Sequence, residues 1–137
     1  MKLTTYINFA GNCGDAFRYY ATHFGAVPGL MVRHGDGPSA QQLPPGWETA
    51  ILHGRIKIGD IELMAADIPG AEPMRSAYLT LRVDEDATAK RFYTALAKDG
   101  RVLMPLAETF FASQFAQVQD QFGINWMILR ERPRPAA

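Results

Sequence analysis

The sequence predicts an α+β fold in which two tandem βαβββ modules form curved mixed sheets with their helices on the outer face. Strand-like and helix-like segments follow one another in the same order in both halves of the 137 residues. An internal repeat gives the same division. A shift of 73 positions superposes five pairs of residues: Thr5 on Tyr78, Ala16 on Ala89, Arg18 on Arg91, Tyr19 on Phe92 and Tyr20 on Tyr93. Two unrelated helices with aromatic-rich cores are the alternative interpretation.

The composition indicates a single globular domain, residues 1–137, made of these two modules. Hydrophobic residues account for 47% of the chain and charged residues for 20%. Fourteen basic residues balance fourteen acidic ones, so charge gives no reason to expect a nucleic acid or a membrane surface as a partner. The single cysteine, Cys13, has no partner for an internal disulfide, and the N-terminus does not resemble a secretion signal. We therefore expect a cytoplasmic protein.

The first module, residues 1–70, begins with a strand and a helix. Thr4–Phe9 is rich in β-branched and aromatic residues, which predicts the strand. Asn12 is followed three residues later by Asp15, the pattern of a capping box, so the helix is expected to begin there. Apolar residues then recur every three or four positions until Gly25, a typical end signal.

A short strand and a β-hairpin complete the first module. The strand is expected at Leu30–Arg33, before a loop over residues 34–46 that is either a lid or a solvent-exposed loop. The hairpin pairs Thr49–Ile58 with Ile61–Ala65, because the residues between them, Gly59 and Asp60, favour a two-residue turn. This register places Lys57 opposite Glu62 and Arg55 opposite Met64.

The second module, residues 76–131, repeats the order of elements. Its segments are expected at Ala77–Val83 (strand), Asp84–Lys98 (helix capped by Asp84), Val102–Met104 (strand), and Phe115–Val118 with Asn125–Leu129 (hairpin). Residues 132–137 contain prolines and are expected to form a frayed tail.

Alternation along the strands predicts a pocket on the sheet faces that do not pack against the helices. Its wall would collect His53, Arg55, Glu62, Met64, Tyr78, Thr80, Arg82, Asn125, Met127 and Leu129. Two arginines in such a wall suit a carboxylate or phosphate ligand. Three aromatic residues in or beside loops are candidates to cover the ligand: Phe110, Phe111 and Trp47. Alternatively, the two phenylalanines pack at a dimer interface and the tryptophan anchors the end of its loop.

Glu62 has two interpretations. A carboxylate directed into the pocket would serve as a general base or a hydrogen-bond acceptor, and it is our candidate catalytic residue. The alternative is a cross-strand ion pair with Lys57, its partner in the hairpin register. A two-ligand metal site formed by His53 and Glu62 is a weaker hypothesis, because these residues are not opposite each other.

Three separated motifs resemble one known family. Residues 6–20 read YINFAGNCGDAFRYY, residues 108–111 read ETFF, and residues 120–127 read DQFGINWM. Together they are similar to the PhnB-like branch of the vicinal oxygen chelate superfamily, which includes glyoxalase I, extradiol dioxygenases and the bleomycin and fosfomycin resistance proteins. Members of this branch are often described as 3-demethylubiquinone-9 3-methyltransferase-like. No Gly-x-Gly-x-x-Gly motif opens a helix, which argues against a literal methyltransferase.

The resemblance also implies where a metal would bind in this superfamily. The four ligand positions, two per module, correspond to Thr5, Glu62, Tyr78 and Met127. Only the glutamate is a good ligand for a divalent cation, so we expect no metal ion and no other cofactor. The predicted function is therefore a metal-free protein that binds a small, anionic molecule, with a homodimer implied by the family. A metal-dependent lyase, isomerase or dioxygenase that uses Glu62 is the alternative, and a protein-interaction module is a weaker one.

Overall fold

The computed structural model describes residues 1–38 and 40–133, and the chain divides into two compact units, Met1–Glu72 and Pro73–Ala137. Each unit contains a four-stranded mixed sheet and one α-helix, in the order strand, helix and three strands. The predicted α+β fold with two βαβββ modules is thus confirmed. Neither α-helix in the described residues is long and apolar enough to cross a membrane. Residues 134–137 of the predicted tail lie outside the described residues.

The first unit has its first and last strands side by side. Its elements are β1 (Thr5–Phe9), α1 (Cys13–Phe24), β2 (Val27–Arg33), β3 (Ile51–Ile58) and β4 (Ile61–Asp67). The strand order is β1-β4-β3-β2, with β1 and β4 parallel and the other pairs antiparallel. The predicted hairpin register is confirmed, with Lys57 opposite Glu62. Gly59 in the turn has a φ of 57°, a conformation that glycine adopts without strain.

The second unit repeats this topology. Its elements are β5 (Leu79–Arg82), α2 (Asp86–Ala97), β6 (Arg101–Ala107), β7 (Ala112–Gln119) and β8 (Asn125–Glu131). The strand order is β5-β8-β7-β6, and β5 and β8 are parallel.

Both cores lie between the helix and one face of the sheet. In the first unit the largest fully buried side chains are Phe9, Phe17, Tyr20 and Ile56, and in the second they are Leu96, Val118, Trp126 and Ile128. Burial of one such side chain contributes about 1.5–3 kcal/mol. Alternation along the strands therefore assigns one face of each sheet to the core and leaves the other face for a site.

The helix starts differ from the predicted caps. Asn12 is the N-cap residue of α1, but its side chain makes no capping hydrogen bond. The Asp67 carboxylate, which follows much later in the chain, accepts from the backbone N–H of Cys13 instead. The N-cap residue of α2 is Glu85, with φ −137° and ψ 144°, and not the predicted Asp84. Tertiary contacts at α1 thus replace the local cap that its sequence suggested.

The edge strands are longer than predicted. β2 starts at Val27 and includes Pro28, and β6 includes Pro105. Both are outer strands, where a proline that cannot donate a hydrogen bond is tolerated. The predicted loop over residues 34–46 contains two short 3₁₀-helices, His34–Asp36 and Ala40–Gln42.

Candidate functional site

The face of the first sheet turned away from α1, which we call the open face, carries five of the candidate residues: Tyr6, His53, Arg55, Glu62 and Met64. Tyr6 is aligned with Met64 on β4, and Met64 with Arg55 on β3, so the three form a row across the strands. Glu62 and His53 lie two positions along their strands from this row, and therefore on the same face.

The position of α1 identifies the opposite face of the sheet. A methyl group on Gly54 of β3 would lie 3.3 Å from the ring of Phe17 on α1. Successive residues of a strand point to opposite faces, so His53 and Arg55 point away from the helix. The polar side chains of the first unit that the sequence assigned to the pocket, His53, Arg55 and Glu62, thus lie together on one face of the first sheet.

Four of these side chains form a continuous polar chain. The Tyr6 hydroxyl lies 3.2 Å from His53 Nδ1, and the two rings are stacked with centroids 5.8 Å apart. Arg55 Nε donates to His53 Nε2 at 3.4 Å, and Arg55 Nη1 lies 3.1 Å from Glu62 Oε1. Arg55 is therefore the central member and contacts both of the other titratable candidates.

The arginine determines the tautomer of His53 in this arrangement. A guanidinium group has no acceptor, so His53 Nε2 must accept the bond from Arg55. The imidazole proton is then on Nδ1 and is donated to the oxygen of Tyr6. The Tyr6 hydroxyl proton remains available for a ligand.

The ion pair of Glu62 is not the predicted one. The backbone register places Lys57 opposite Glu62, but the carboxylate bonds to Arg55, one diagonal step away on the same face. Diagonal neighbours are within reach of long side chains. The side chains of Arg55 and Glu62 are 45% and 52% exposed, so their pairing contributes little stability.

The second sheet carries its own predicted residues on the face away from the buried Trp126. Thr80 is aligned with Met127, and Arg82 with Leu129. Arg82 Nε lies 3.3 Å from Glu131 Oε1, and its side chain is largely exposed. Tyr78 comes directly before β5 and is half-buried.

Asn125 is a structural residue and not part of an accessible wall. It is only 3% exposed. Its Nδ2 donates to the carbonyl of Met74 at 3.1 Å, and its Oδ1 accepts from Gln119 Nε2 at 3.0 Å. The side-chain amide is thus occupied by the segment that precedes β5, a contact that alternation along β8 could not predict.

The three aromatic residues predicted to cover a ligand lie in different units: Phe110 and Phe111 in the second unit and Trp47 in the first. Phe110 contacts Phe111 with ring centroids 5.2 Å apart, and Phe111 contacts Phe115 of β7 at 5.1 Å. Trp47 does not lie on the open face. Its ring packs edge-on against His34 at 6.1 Å and lines a separate cavity on the α1 side of the first sheet.

Sequence reasoning selected Thr5 and missed Tyr6. Thr5 is aligned with the buried Leu63, so it lies on the opposite face from Glu62. Tyr6 lies on the open face, as does Asn8 two positions further along β1. Because Ile7 and Phe9 are buried against the helix, alternation along β1 predicts that Tyr6 faces the other way. Counting back from the tyrosine pair of α1 selected Thr5, which is on the buried side.

The donor set of the open face does not fit a divalent cation. His53 and Glu62 supply the imidazole and the carboxylate of the candidate set, and the guanidinium of Arg55 is bonded to both of them. A fixed positive charge between two ligands opposes a second cation. Across residues 1–38 and 40–133, no three His, Cys, Asp or Glu side chains are grouped closely enough to hold a metal ion.

Comparison with known proteins assigns the family. The family model described as 3-demethylubiquinone-9 3-methyltransferase matches residues 1–129. The chain is 34% identical to Protein YjdN of Escherichia coli K12, covering 98% of this chain and 99% of that protein. It is also similar to the crystal structure of protein PA1353 from Pseudomonas aeruginosa, with 37% identity, a TM-score of 0.84 and coverage of 97% and 99%.

A more distant match extends the relationship at the level of the fold. The fosfomycin resistance protein FosX of Listeria monocytogenes is 5% identical, with a TM-score of 0.66 and coverage of 96% of this chain and 93% of that one. The chain therefore belongs to the family described as 3-demethylubiquinone-9 3-methyltransferase, and it shares its fold with FosX.

Proposed function

We propose that the protein binds a small anionic molecule at the open face of its first sheet, without a metal ion. The observation that carries this proposal is the position of Arg55, whose guanidinium lies between His53 and Glu62. In this arrangement a guanidinium group, and not a metal ion, joins the two candidate ligands.

The remaining donors of the open face suit a carboxylate, phosphate or phosphonate. Arg55 uses Nε and Nη1 in the contacts described above, which leaves Nη2 for a ligand. The Tyr6 hydroxyl proton is a second donor beside it, and Tyr6 is 49% exposed. Hydrogen bonds to an ionised group are about twice as strong as those between neutral groups.

FosX, which shares the fold, was crystallised with a ligand of this class. Its structure was determined with Mn(II) and 1S,2S-dihydroxypropylphosphonic acid. The phosphonate is a small anion, the ligand class that we propose here. We propose that the two proteins differ in the metal, because Arg55 bonds to both His53 and Glu62 in this chain.

The test is a titration of isotope-labelled, metal-free protein with methylphosphonate, followed by NMR. We expect the amides of Tyr6, His53 and Arg55 to shift, and Arg55→Gln to weaken binding about tenfold. Lys57→Gln is the matched control, since Lys57 is an exposed cation on the same strand and face. The affinity of the Lys57→Gln variant for methylphosphonate should stay within about twofold of that of the unchanged protein, because the Lys57 side chain makes no direct contact with the ligand.

Metal analysis of protein purified without chelator decides between this proposal and a metal-dependent lyase, isomerase or dioxygenase. We expect less than stoichiometric iron, manganese, nickel or zinc. One equivalent of metal that is lost in Glu62→Ala would overturn the metal-free proposal and favour the enzyme. Equal weakening by Lys57→Gln and Arg55→Gln would instead show nonspecific attraction and also contradict it.

We further propose that the chain pairs as a homodimer. Phe110 is 94% exposed and Phe111 is 43% exposed, an unusual arrangement for adjacent large apolar side chains. Light scattering after gel filtration should give twice the mass of 15.2 kDa. Phe110→Ser should shift the equilibrium towards monomer, and a monomeric unchanged protein would overturn the proposal.

A further inference from the structure

A cavity lies on the α1 side of the first sheet, opposite the open face. It has a volume of about 760 Å³ and is enclosed by the first turns of α1, the end of β2 and the segment before β3. Pockets that bind small molecules usually measure about 300–1,000 Å³. Met31 lines this cavity, and its sulfur lies 2.8 Å from the Cβ position of Gly54, which points to α1. The cavity is therefore separated from the open face by the sheet itself.

Two arginines from different elements line this helix-side cavity. The Arg18 guanidinium folds back over the first turn of α1, with Nη1 3.4 Å from the Cβ position of Gly14, and it pairs with Asp15. The Arg33 guanidinium has no hydrogen-bond or ion-pair partner in the part of the chain that the structure describes. Arg33 is thus the basic group of the lining without an ion pair, while the carboxylates of Asp15 and Asp67 balance the formal charge of the lining.

The backbone at the start of α1 does not supply the binding groups. The carboxylate of Asp67 already accepts from the N–H groups of Gly11 and Cys13. Asn12, which also lines the cavity, is the group in need of a partner: its Oδ1 is buried without a hydrogen bond within the described residues. A buried acceptor left without a hydrogen-bond partner is destabilising. A ligand that donates a hydrogen bond would remove this cost.

Trp47 and Met31 provide the apolar part of the lining. The Trp47 ring lies 3.6 Å from the Cβ position of Gly11, so it covers the end of β1. From these groups we infer that the helix-side cavity is a second binding site, for a small hydroxy- or amino-carboxylate. Its carboxylate pairs with Arg33, its hydroxyl or amino group donates to Asn12, and its short carbon chain lies against Trp47.

Three matched probes test each part of this assignment. They are L-lactate, propionate, which lacks the hydroxyl of lactate, and lactamide, which lacks its charge. We expect lactate, in the millimolar range, to shift the NMR signals of the Asn12 amide, the Arg33 amide and the Trp47 indole N–H. Propionate should bind about threefold more weakly and lactamide about tenfold more weakly, because they lose a neutral and a charged hydrogen bond respectively.

Variants separate this site from the open face. Arg33 is exposed, so Arg33→Gln should fold, and it should weaken lactate binding about tenfold. Arg55→Gln, on the other side of the sheet, should leave the lactate-induced shifts of Arg33 and Trp47 unchanged, whether or not the open face also binds lactate or methylphosphonate. The inference is overturned if lactate shifts only open-face signals, if it shifts none, or if Arg33→Gln retains full affinity.

Discussion

Replacement of the buried Asp67 by asparagine should destabilise the first unit severely. Asp67 is 1% exposed and accepts three backbone hydrogen bonds. Oδ1 accepts from the N–H groups of Gly11 at 3.0 Å and Cys13 at 2.9 Å, and Oδ2 accepts from Ile51 at 2.8 Å. The end of β4 thereby holds the β1–α1 connection and the start of β3 in place.

The magnitude follows from these contacts. Asparagine has nearly the same volume, so Asp67→Asn leaves no cavity, but one of its two polar atoms is a donor. At least one of the three backbone N–H groups therefore loses its acceptor and faces the side-chain NH₂ group of the asparagine instead. Loss of a bond to a charged acceptor and an unsatisfied buried donor together amount to about 3–5 kcal/mol. Total stabilities of domains are about 5–15 kcal/mol.

Urea unfolding followed by far-UV circular dichroism measures this loss. Asp15→Asn is the matched control, because it removes the same charge from an exposed pair with Arg18 and should cost less than about 1 kcal/mol. If Asp67→Asn unfolds within about 0.5 kcal/mol of Asp15→Asn, the three hydrogen bonds do not contribute as argued here.

Two further predictions concern Cys13 and Gly100. Burial, and next the Asp67 carboxylate, raise the pKa of the Cys13 thiol from 9.0 to about 12, so iodoacetamide should modify it in urea but not in the native protein at mildly alkaline pH. Since the folded state holds the thiol proton more tightly than the unfolded state, the contribution of Cys13 to the free energy of unfolding is complete below pH 9.0 and is lost as the pH rises towards about 12. Cys13→Ala should remove this part of the loss of stability when unfolding is measured across that pH range. Gly100→Ala should lower the free energy of unfolding by about 2 kcal/mol or more, because its methyl group would lie 2.3 Å from the backbone oxygen of Gln119. Gly29→Ala, with its nearest atom at 3.7 Å, should change it by less than about 0.5 kcal/mol in the same assay.

The fold could be predicted from the sequence because the patterns that indicate its strands, helices and turns are local. Alternation along Thr49–Ile58 and the Gly59 turn determine the hairpin register, and this register places His53, Arg55 and Glu62 on one face. The contacts within the face depend on the reach of individual side chains. Nothing local to the hairpin distinguishes Arg55 from Lys57 as the partner of Glu62.

Long-range contacts explain the remaining differences. The amide of Asn125 is occupied by Met74, which lies far away in the sequence, so a residue that alternation assigned to a pocket is buried. In the same way Asp67 replaces the local cap of α1. Both cases require the folded chain, because the two partners meet only after the sheet has formed.

The parallel pairing of the first and last strands in each unit has a consequence for the order of folding. The antiparallel pairings join β2 to β3 and β3 to β4, which are consecutive strands in the chain. In contrast, β1 pairs with β4, from which it is separated by nearly the whole unit in sequence. Closure of so long a loop is entropically costly, so the three-stranded meander is expected to form before β1 docks. In pulsed hydrogen exchange during refolding, the amides of β3 should become protected before those of β1, and the reverse order would contradict this sequence of events.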